Sequence, residues 1–302
     1  MIESIYHCGE LAVQARAGVS EQAQHIGTSI RSDMPNIARE FLQSQRMVVL
    51  ATPDSTGRVW VSALCGPPGF IQATDSQTVK IRSTTVPGGP LDEILKHRPE
   101  VGLIAVEFST RRRMKVKGHS ERASDGTLII HAARVYSQCT KYIQARETID
   151  KPAEAAGAKP GVQSESLTPG QQKWIADADT FFVGSFHPET GADASHRGGN
   201  PGFVKVMSSE TLVFPNYWGN SMLNTLGNVT VDSHAGLLFI DFDTGSTLQI
   251  TGTACVIWDP NRVAEFPGAN QLVEYRATRV IETPNAIPLR WRFVAYSSAN
   301  PS

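Results

Sequence analysis

The sequence predicts a mainly β (α+β) protein made of two tandem, half-closed β-barrels with peripheral helices. Two observations lead to this fold class. The chain repeats a series of sequence blocks at a nearly constant spacing, and the blocks are short apolar runs rich in Val and Phe. Self-similarity at a fixed offset indicates a duplicated architecture. Each repeat contains about six predicted strands with a short helix after the third, which suits a barrel.

The internal repeat indicates a duplication. A single match of glycine and proline positions between the two halves could arise by chance. Here, however, four apolar or glycine-marked blocks recur in the same order. The alternative is two unrelated β-rich domains that share common turn residues. The matching blocks are residues 66–71 with 199–204, 76–81 with 209–214, 101–108 with 235–242, and 115–118 with 249–252.

The repeated blocks are predicted to be strands. Short apolar runs that end at Asp, Pro or Gly are typical of strands, and continuous apolar runs are typical of buried ones. The predicted strands include Met47–Thr52, Thr78–Ile81 and Leu103–Phe108 in the first repeat, and Phe181–Phe186, Thr211–Phe214 and Leu237–Phe242 in the second.

Helices are predicted within and outside the repeats. Leu91, Ile94 and Leu95 would share one helical face. The predicted helices are Pro90–His97, Ser221–Gly227, Ala23–Gln45 with a break at Pro35, and Ala133–Glu147. The predicted division is an N-terminal helical segment (1–40), a first barrel with its helix (41–150), a linker rich in Ala, Gly, Pro and Ser (151–170), and a second barrel (171–302).

Composition and charge exclude several function classes. Hydrophobic residues make up 40% and charged residues 19%, with a net charge of -1, as in an ordinary globular protein. The longest basic run, residues 111–117, is too short to predict a nucleic-acid partner. No apolar run is long enough to predict a membrane span. Four distant cysteines without a CxxC pair predict no metal site, and the absence of a signal-peptide pattern favours the cytoplasm.

The first candidate site lies in residues 193–203 (DASHRGGNPGF). Familiar catalytic signatures such as HExxH, GxSxG, the P-loop and GxGxxG are absent. A strand that carries Ser195, His196 and Arg197 before Gly198 could direct donors at a phosphate, since glycine lets a ligand approach the backbone. The alternative is a polar loop with turn glycines.

A second polar cluster follows the next predicted strand. Amide and hydroxyl groups near the start of a helix favour an anion, because the first backbone N–H groups of a helix are free. Two aromatic rings in the cluster could flank a flat heterocycle. Asn220 could instead simply cap the helix. The cluster consists of Asn216, Tyr217, Trp218, Asn220, Ser221 and Asn224.

The first repeat has different polar side chains at the positions that correspond to this second cluster. They are Arg82 and Ser83, followed by a loop of Pro and Gly at residues 87–90. We therefore predict that the phosphate site lies in the second half and that the first half supports it. The basic run from Arg111 to Lys115 is predicted to reach across the junction, and Arg112 is taken from it as a site residue.

Several segments together resemble the pyridoxamine 5'-phosphate oxidase-like FMN-binding split-barrel family, in particular a two-barrel subgroup. The resemblance covers most of the chain, from about Tyr6 to about Trp258, and implies two tandem split β-barrels. The segments that carry it are residues 7–10 (HCGE), 60–64 (WVSAL), 111–118 (RRRMKVKG), 138–144 (QCTKYIQ), 193–203 and 214–228.

The resemblance implies FMN as the cofactor, with its phosphate held by residues 195–197 and 216–224. Family members place FMN at an interface of two barrels, so the internal pair would take the place of a dimer, and a further homodimer stays open. The implied activity is that of an oxidoreductase in which flavin N5 exchanges a hydride with NAD(P)H or a small organic substrate. Such chemistry requires no side-chain acid or base, so no catalytic residue is assigned.

The chain also departs from the oxidase proper. A glycine pair follows Arg197, Asn220 and Ser221 replace a Ser-Arg-Lys triplet, and residues 288–292 match the substrate-binding end poorly. Pyridoxamine phosphate is therefore not expected as the substrate, and FAD or a deazaflavin could replace FMN. Two alternatives are a flavin-binding or sensing module without turnover, and a haem-binding barrel. The candidate axial ligands for haem are His187, His196 and His234.

Overall fold

The first half of the chain forms one antiparallel sheet behind three N-terminal helices. The structure, a computed structural model, describes residues 4–83, 89–97, 100–149 and 161–301. The elements of the first half are α1 (Cys8–Arg16), α2 (Ser20–Gly27), α3 (Asn36–Gln43), β1 (Met47–Pro53), β2 (Val59–Cys65), β3 (Ile71–Ala73), β4 (Thr78–Ile81), α4 (Leu91–His97), β5 (Glu100–Glu107), β6 (Arg112–Arg122), β7 (Leu128–Ser137) and β8 (Ala145–Ile149).

The second half forms a sheet of the same kind. Its elements are β9 (Val162–Ser164), α5 (Pro169–Asp177), β10 (Thr180–His187), β11 (Gly191–Gly198), β12 (Lys205–Val206), β13 (Thr211–Tyr217), α6 (Asn224–Val231), β14 (His234–Ile240), β15 (Thr247–Ile257), α7 (Pro260–Ala264), β16 (Ala269–Thr283) and β17 (Arg290–Ala295).

The two sheets have the same strand order. The first runs β2-β1-β5-β6-β7-β4-β3 and the second runs β11-β10-β14-β15-β16-β13-β12, which is the same order position for position. A register shift also recurs at one place, after Lys117 in β6 and after Thr251 in β15. A shared topology with a shared irregularity agrees with the predicted duplication. The predicted fold class, mainly β with two split barrels, is confirmed.

Each sheet encloses its own apolar core, and a third apolar cluster lies between the barrels. The interbarrel cluster contains residues of β1, β5, β10 and β14, among them Val49, Ile104, Phe182 and Leu238. These strands read as continuous apolar runs in the sequence because one face fills a barrel and the other face packs against the second barrel. Apolar packing therefore forms part of the interface between the barrels.

The predicted strand count and helix position need correction. Each half has seven strands in its sheet path, and the helix follows the fourth strand instead of the third. The extra strands are β3 and β12, which are three and two residues long. Runs this short carry no periodicity that could distinguish them from a turn.

The predicted helix Ala133–Glu147 is wrong. Residues 128–137 form β7, which pairs with β4 and β6, and residues 145–149 form β8. Within β7, Ile130 and Ala132 are buried while His131 is exposed between them. This period of two fits a strand, and pairing with two neighbours overrides a modest helical propensity.

The predicted helix Ser221–Gly227 begins later, at Asn224. Ser221 and Leu223 have left-handed φ angles of 60° and 54°, so neither can belong to a right-handed helix. Leu223 is the N-cap residue and makes no side-chain cap. Asn220 is therefore not the cap, and its Oδ1 accepts from the backbone N–H of Met222 at 3.2 Å instead.

Strands also join regions that are distant in sequence. Of the predicted linker, residues 151–160 lie outside the described residues, while 161–170 contain β9 and the start of α5. β9 pairs with β16 in the second sheet, and β17 near the end of the chain pairs with β8 of the first half. Among the described helices, none is long and apolar enough to cross a membrane.

Two equivalent glycines allow the barrels to approach closely. A Cβ at Gly102 in β5 would lie 2.7 Å from the backbone N of Ala194 and 2.8 Å from the carbonyl O of Ala192, both in β11. A Cβ at Gly236 in β14 would lie 2.5 Å from the carbonyl O of Val59 in β2. The junction therefore has a pseudo-twofold arrangement in which each glycine faces the other barrel's second strand.

Replacing Gly102 by Ala should lower the free energy of unfolding by about 1–3 kcal/mol, because the new methyl group must push β11 away. Urea denaturation measures the change. The control is Gly170→Ala, since Gly170 lies near the start of α5 and a Cβ there meets nothing closer than 4.0 Å. The control should leave stability unchanged or raise it, and a Gly102→Ala protein as stable as the parent would contradict the tight junction.

Candidate functional site

A cavity opens between the two barrels beside the end of β11. Side chains from β11, β13 and the loop before α6 form most of its wall, and residues of the first half complete it. The residues that line it are Arg113, Gln138, Tyr142, Ser195, His196, Arg197, Gly198, Phe203, Pro215, Asn216, Tyr217, Gly219, Asn220, Ser221, Leu223, Asn224 and Thr225.

Two arginines from different barrels face this cavity. Nη1 of Arg197 donates to Oδ1 of Asn216 at 2.7 Å, and Asn216 in turn donates from Nδ2 to Oε1 of Gln271 at 2.9 Å. Nη1 of Arg113 lies 3.0 Å from Nδ1 of His196. A guanidinium can only donate, so Nδ1 of His196 accepts and the proton of the neutral ring is on Nε2. Each arginine is thus held by one side chain and keeps further N–H groups free.

Three buried nitrogen atoms of this site lack a hydrogen-bond partner among the described residues. They are Nε of Arg113, Nε of Arg197 and Nε2 of His196. A buried donor without an acceptor costs about 1–3 kcal/mol, so such groups are rare in folded proteins. All three belong to residues that line one cavity, and the donors and charge of these residues suit an oxygen-rich ligand.

The charge of the site is positive at neutral pH. Burial lowers the pKa of Arg113 to about 10 and the pKa of Arg197 to about 10, which leaves both guanidinium groups ionised. Burial, together with the charges of Arg113, Arg146 and Arg197, lowers the pKa of His196 well below its ordinary value, so that ring is neutral. Two cations and a neutral donor favour a phosphate or carboxylate.

A buried ion pair lies behind Ser195 of the cavity wall, and we call this pair the floor. Nζ of Lys115 in β6 lies 2.6 Å from Oδ1 and 2.7 Å from Oδ2 of Asp193 in β11, and both side chains are 0% exposed. Nζ also donates to Oγ of Ser195 at 2.9 Å, and that hydroxyl donates to Oδ2 of Asp193 at 3.0 Å. The single proton of Ser195 is therefore committed to Asp193. Ser195 can offer a ligand an acceptor, which corrects the expectation that it donates to phosphate.

Both members of the floor pair are charged at neutral pH. Burial lowers the pKa of Lys115 to about 8, and the neighbouring Asp193 limits that fall. Burial raises the pKa of Asp193, but the charges of Lys115 and Lys117 lower it more, so the net direction is downward. Because both side chains are fully enclosed, a movement of either one would leave a buried charge without its partner.

The N-terminal helix supports the opposite wall. Nδ2 of Asn224 donates to Oε1 of Glu10 in α1 at 2.5 Å, and Oδ1 of Asn224 accepts from the hydroxyl of Tyr136 at 3.4 Å. The hydroxyl of Tyr136 also lies 3.4 Å from Oδ1 of Asp193. Asn224 is therefore a structural link between the wall and the floor, and Glu10 takes one of its two amide hydrogens.

Aromatic rings lie at the mouth of the cavity. Tyr142 from the first half and Tyr217 from β13 have ring centroids 5.0 Å apart at an angle of 32°. The hydroxyl of Tyr142 donates to the carbonyl O of Trp218 at 3.0 Å. The Trp218 side chain itself is 46% exposed and does not line the cavity. The flat surfaces available to a ligand are thus tyrosines.

Nine of the eleven site residues predicted from sequence line the cavity. The exceptions are Trp218 and Arg112, whose guanidinium lies 4.8 Å from the ring centroid of Phe41. Arg113 takes the role expected of Arg112. Alternate residues of a strand share a face. Arg113 is two positions from the buried Lys115, so alternation along β6 could have identified Arg113 as the arginine on the same face as Lys115. The residues that the prediction missed are Arg113, Gln138, Tyr142, Phe203, Pro215, Gly219, Leu223 and Thr225.

The equivalent place in the first barrel has no ion pair. By strand register, Trp60, Ser62 and Leu64 stand where the second barrel has Asp193, Ser195 and Arg197. Gln249 takes the place of Lys115, and its Nε2 donates to Oγ of Ser62 at 2.9 Å. Trp60 packs in an apolar cluster with Ile94 and Ile281. Within the described part of the chain, the cationic site is therefore present once.

The histidines proposed as haem ligands lie in three different surroundings. His196 is buried against Arg113, and His234 pairs with Asp232 at 2.7 Å. His187 stacks on His7 with ring centroids 3.8 Å apart. His7, Cys8 and His187 bring possible metal ligands close together. Both ring nitrogens of His7 are already bonded, however, Nε2 to Asn228 and Nδ1 to the N–H of Gly9. This group lacks the free donors of a metal site.

Parts of this chain are similar to known proteins. The family model of pyridoxamine 5'-phosphate oxidase matches residues 167–291. No curated protein matches the chain in sequence. Similar solved structures include a putative pyridoxamine 5'-phosphate oxidase from Lactobacillus delbrueckii (16% identity, covering 40% of this chain and 97% of that chain, TM-score 0.32). Others are an FMN-binding protein from Syntrophomonas wolfei (10%, 37% and 84%, 0.29) and HutZ, the haem storage protein from Vibrio cholerae (9%, 38% and 94%, 0.29).

Replacing Lys115 by Met should lower the free energy of unfolding by about 3–5 kcal/mol, because it leaves the Asp193 carboxylate buried without its main counter-charge. Urea denaturation at pH 7 measures this loss. The matched control is the double variant Lys115→Met with Asp193→Asn, which removes both charges and should recover most of the stability. A double variant no more stable than the single one would contradict a charge effect.

Proposed function

We propose that this chain, which belongs to the pyridoxamine 5'-phosphate oxidase-like split-barrel family, binds one FMN between its two barrels and acts as an oxidoreductase. The hydride would pass through flavin N5, to or from NAD(P)H or a small organic substrate. The observation that carries this proposal is the set of unpartnered buried nitrogens on Arg113, Arg197 and His196.

A phosphate group fits these nitrogens. It offers three acceptor oxygens and a charge near -2 at neutral pH, which matches two guanidinium groups and one imidazole N–H. Arg113 comes from the first barrel and Arg197 from the second, so both barrels would hold the same phosphate. Asn216 would act as a positioning residue, since it accepts from Nη1 of Arg197 and leaves Nε free.

The rest of the cavity suits the polar chain and flat ring of a flavin. Ser195 presents an acceptor to a hydroxyl or N–H group, because its own proton is held by Asp193. Tyr142 and Tyr217 offer ring faces at the mouth. FMN, when bound, supplies hydride acceptance and donation, while the protein supplies orientation and charge.

A flavin-binding or sensing module without turnover is the second candidate. No carboxylate lines the cavity among the described residues, and Asp193 behind the wall is paired with Lys115, so the wall offers no carboxylate as an acid or base. Hydride transfer needs no such group, so this feature is compatible with both candidates. Reduction by a nicotinamide separates them.

The ligand-free protein should bind one FMN per chain, and should bind it about 100-fold more tightly than riboflavin, which lacks the phosphate. Arg113→Ala and Arg197→Ala should each reduce FMN affinity toward that of riboflavin. Flavin fluorescence titration measures all four affinities. Arg112→Ala is the matched control and should bind FMN like the parent, because Arg112 lies over Phe41.

Two results would contradict this proposal. Equal affinity of the parent for FMN and riboflavin would show that no phosphate site exists. Two FMN per chain would show that the first barrel also binds, despite its neutral Gln249 and Ser62. Mass analysis of cofactor released from the purified protein would distinguish FMN from FAD or a deazaflavin.

Turnover has a separate test. Under anaerobic conditions, NADPH or NADH should bleach the absorption of bound FMN within seconds to minutes if the protein is an oxidoreductase that uses a nicotinamide. Chemical reduction with dithionite is the control that shows the bound flavin can be reduced. A flavin that dithionite bleaches and neither nicotinamide affects would favour the sensing module or an organic electron donor.

A further inference from the structure

The end of the chain is tied down beside the cavity. Chain termini are usually poorly ordered unless specific contacts hold them. Here Ser297 is buried, and Asn300 donates from Nδ2 to Oδ1 of Asn200 at 2.9 Å. Asn200 donates from its own Nδ2 to the carbonyl O of Pro301 at 2.9 Å. The C-terminal segment, residues 297–301, is therefore attached to the loop that follows β11.

Gln144 connects this segment to the first half. Its side chain is 0% exposed, and its Oε1 accepts from the N–H of Ser297 at 2.8 Å and from Nδ2 of Asn300 at 3.1 Å. Its Nε2 lies 3.2 Å from the carbonyl O of Tyr142 and 3.2 Å from that of Gly199. One buried amide thus joins the C-terminal segment, the end of β11 and the loop between β7 and β8. We call this loop, residues 138–144, the Tyr142 loop.

Tyr142 depends on these contacts for an unfavourable conformation. Its φ is 65°, in the left-handed region, which costs a residue other than glycine about 1–2 kcal/mol. The backbone N–H of Tyr142 donates to Oγ of Ser297 at 3.2 Å. The C-terminal segment therefore holds Tyr142 where its ring lines the cavity and its hydroxyl reaches Trp218.

The end of β11 is fitted closely to the same loop. A Cβ at Gly198 would lie 2.1 Å from the carbonyl O of Tyr142, so only glycine allows this approach. Gly198 directly follows Arg197, the guanidinium assigned to the phosphate. A shift of the Tyr142 loop would consequently alter both the mouth of the cavity and the strand end that carries its charge.

We propose that the C-terminal segment 297–301 is a strap that holds Tyr142 in the cavity wall, with Ser297, Gln144 and Asn300 as positioning residues that slow the escape of the ligand. This proposal rests on the proposed FMN site for its effect on binding. Its effect on the Tyr142 loop exists without any ligand, and the loop can be tested in the empty protein.

Two variants and one control test the strap. Removal of residues 297–302 deletes it, and Ser297→Ala removes the hydroxyl that accepts from the N–H of Tyr142 and, within the segment, from the N–H of Ala299. Asn36→Ala is the control, because Asn36 lies on α3, where its exposed side chain accepts only from Arg39. The melting temperature of each ligand-free protein shows whether it is folded, and Ser297→Ala keeps the test valid should the truncated chain fail to fold.

The first readout is the rate of FMN dissociation. Stopped flow measures it in the presence of an excess of a flavin-free apoprotein that captures the released FMN. We expect it to rise about tenfold or more in the truncated protein and about threefold to tenfold in Ser297→Ala, the effect of one lost hydrogen bond. Asn36→Ala should match the parent.

The second readout uses the empty protein. Cys139 lies on the Tyr142 loop and is partly buried, while Cys8 and Cys255 are exposed and serve as internal references. Alkylation by iodoacetamide, followed by peptide mass analysis, should become several-fold faster at Cys139 alone in both strap variants, because the loop opens more often. The control should show no change.

The outcomes are separable. If the parent does not bind FMN, the proposed function fails, and alkylation still decides whether the segment holds the loop. If the parent binds FMN and the folded variants keep its dissociation rate, the strap is wrong. A faster alkylation of Cys139 with an unchanged dissociation rate also overturns it, since the segment would then hold the loop without retaining the ligand.

Discussion

The buried ion pair between Lys115 and Asp193 determines how the two barrels can meet. Neither side chain is exposed, and the charged atoms lie 2.6 Å apart. Charges removed from water need a close partner, so any other arrangement of the barrels would leave one of them uncompensated. The pair brings β6 of the first barrel beside β11 of the second. These are the strands that also carry Arg113 and Arg197, so the cationic cavity follows from the same docking that protects the pair.

Duplication supplied two equivalent places at this junction, and the chain uses them differently. In one, Lys115, Asp193 and Ser195 form a charged floor beneath unpartnered donors. In the other, Gln249 and Ser62 make a neutral hydrogen bond next to Trp60, which packs on Ile94 and Ile281. The neutral version needs no ligand to balance it, whereas the charged version buries more donors than acceptors. Binding chemistry and packing are thus divided between the two halves.

The sequence predicted what depends on local pattern. The repeat, most strands and the cluster around Arg197 follow from motifs a few residues long, and nine of eleven proposed site residues do line the cavity. The errors have physical causes. The sequence does not distinguish Arg112 from Arg113 because the register of β6 is set by its neighbours, and it does not show that residues 133–147 form strands because strand pairing is not local. The roles of Gln144 and the C-terminal segment depend on contacts across about 150 residues of chain, which no local pattern reveals.

In the proposed function, one phosphate-bearing flavin lies between the barrels and both barrels hold it. A crystal structure of the chain in complex with FMN tests this most directly. We expect a single FMN per chain, with its phosphate within hydrogen-bonding distance of Nε of Arg113 and Nε of Arg197. A phosphate bound near Ser62 and Gln249, or on the outer surface of one barrel, would contradict it.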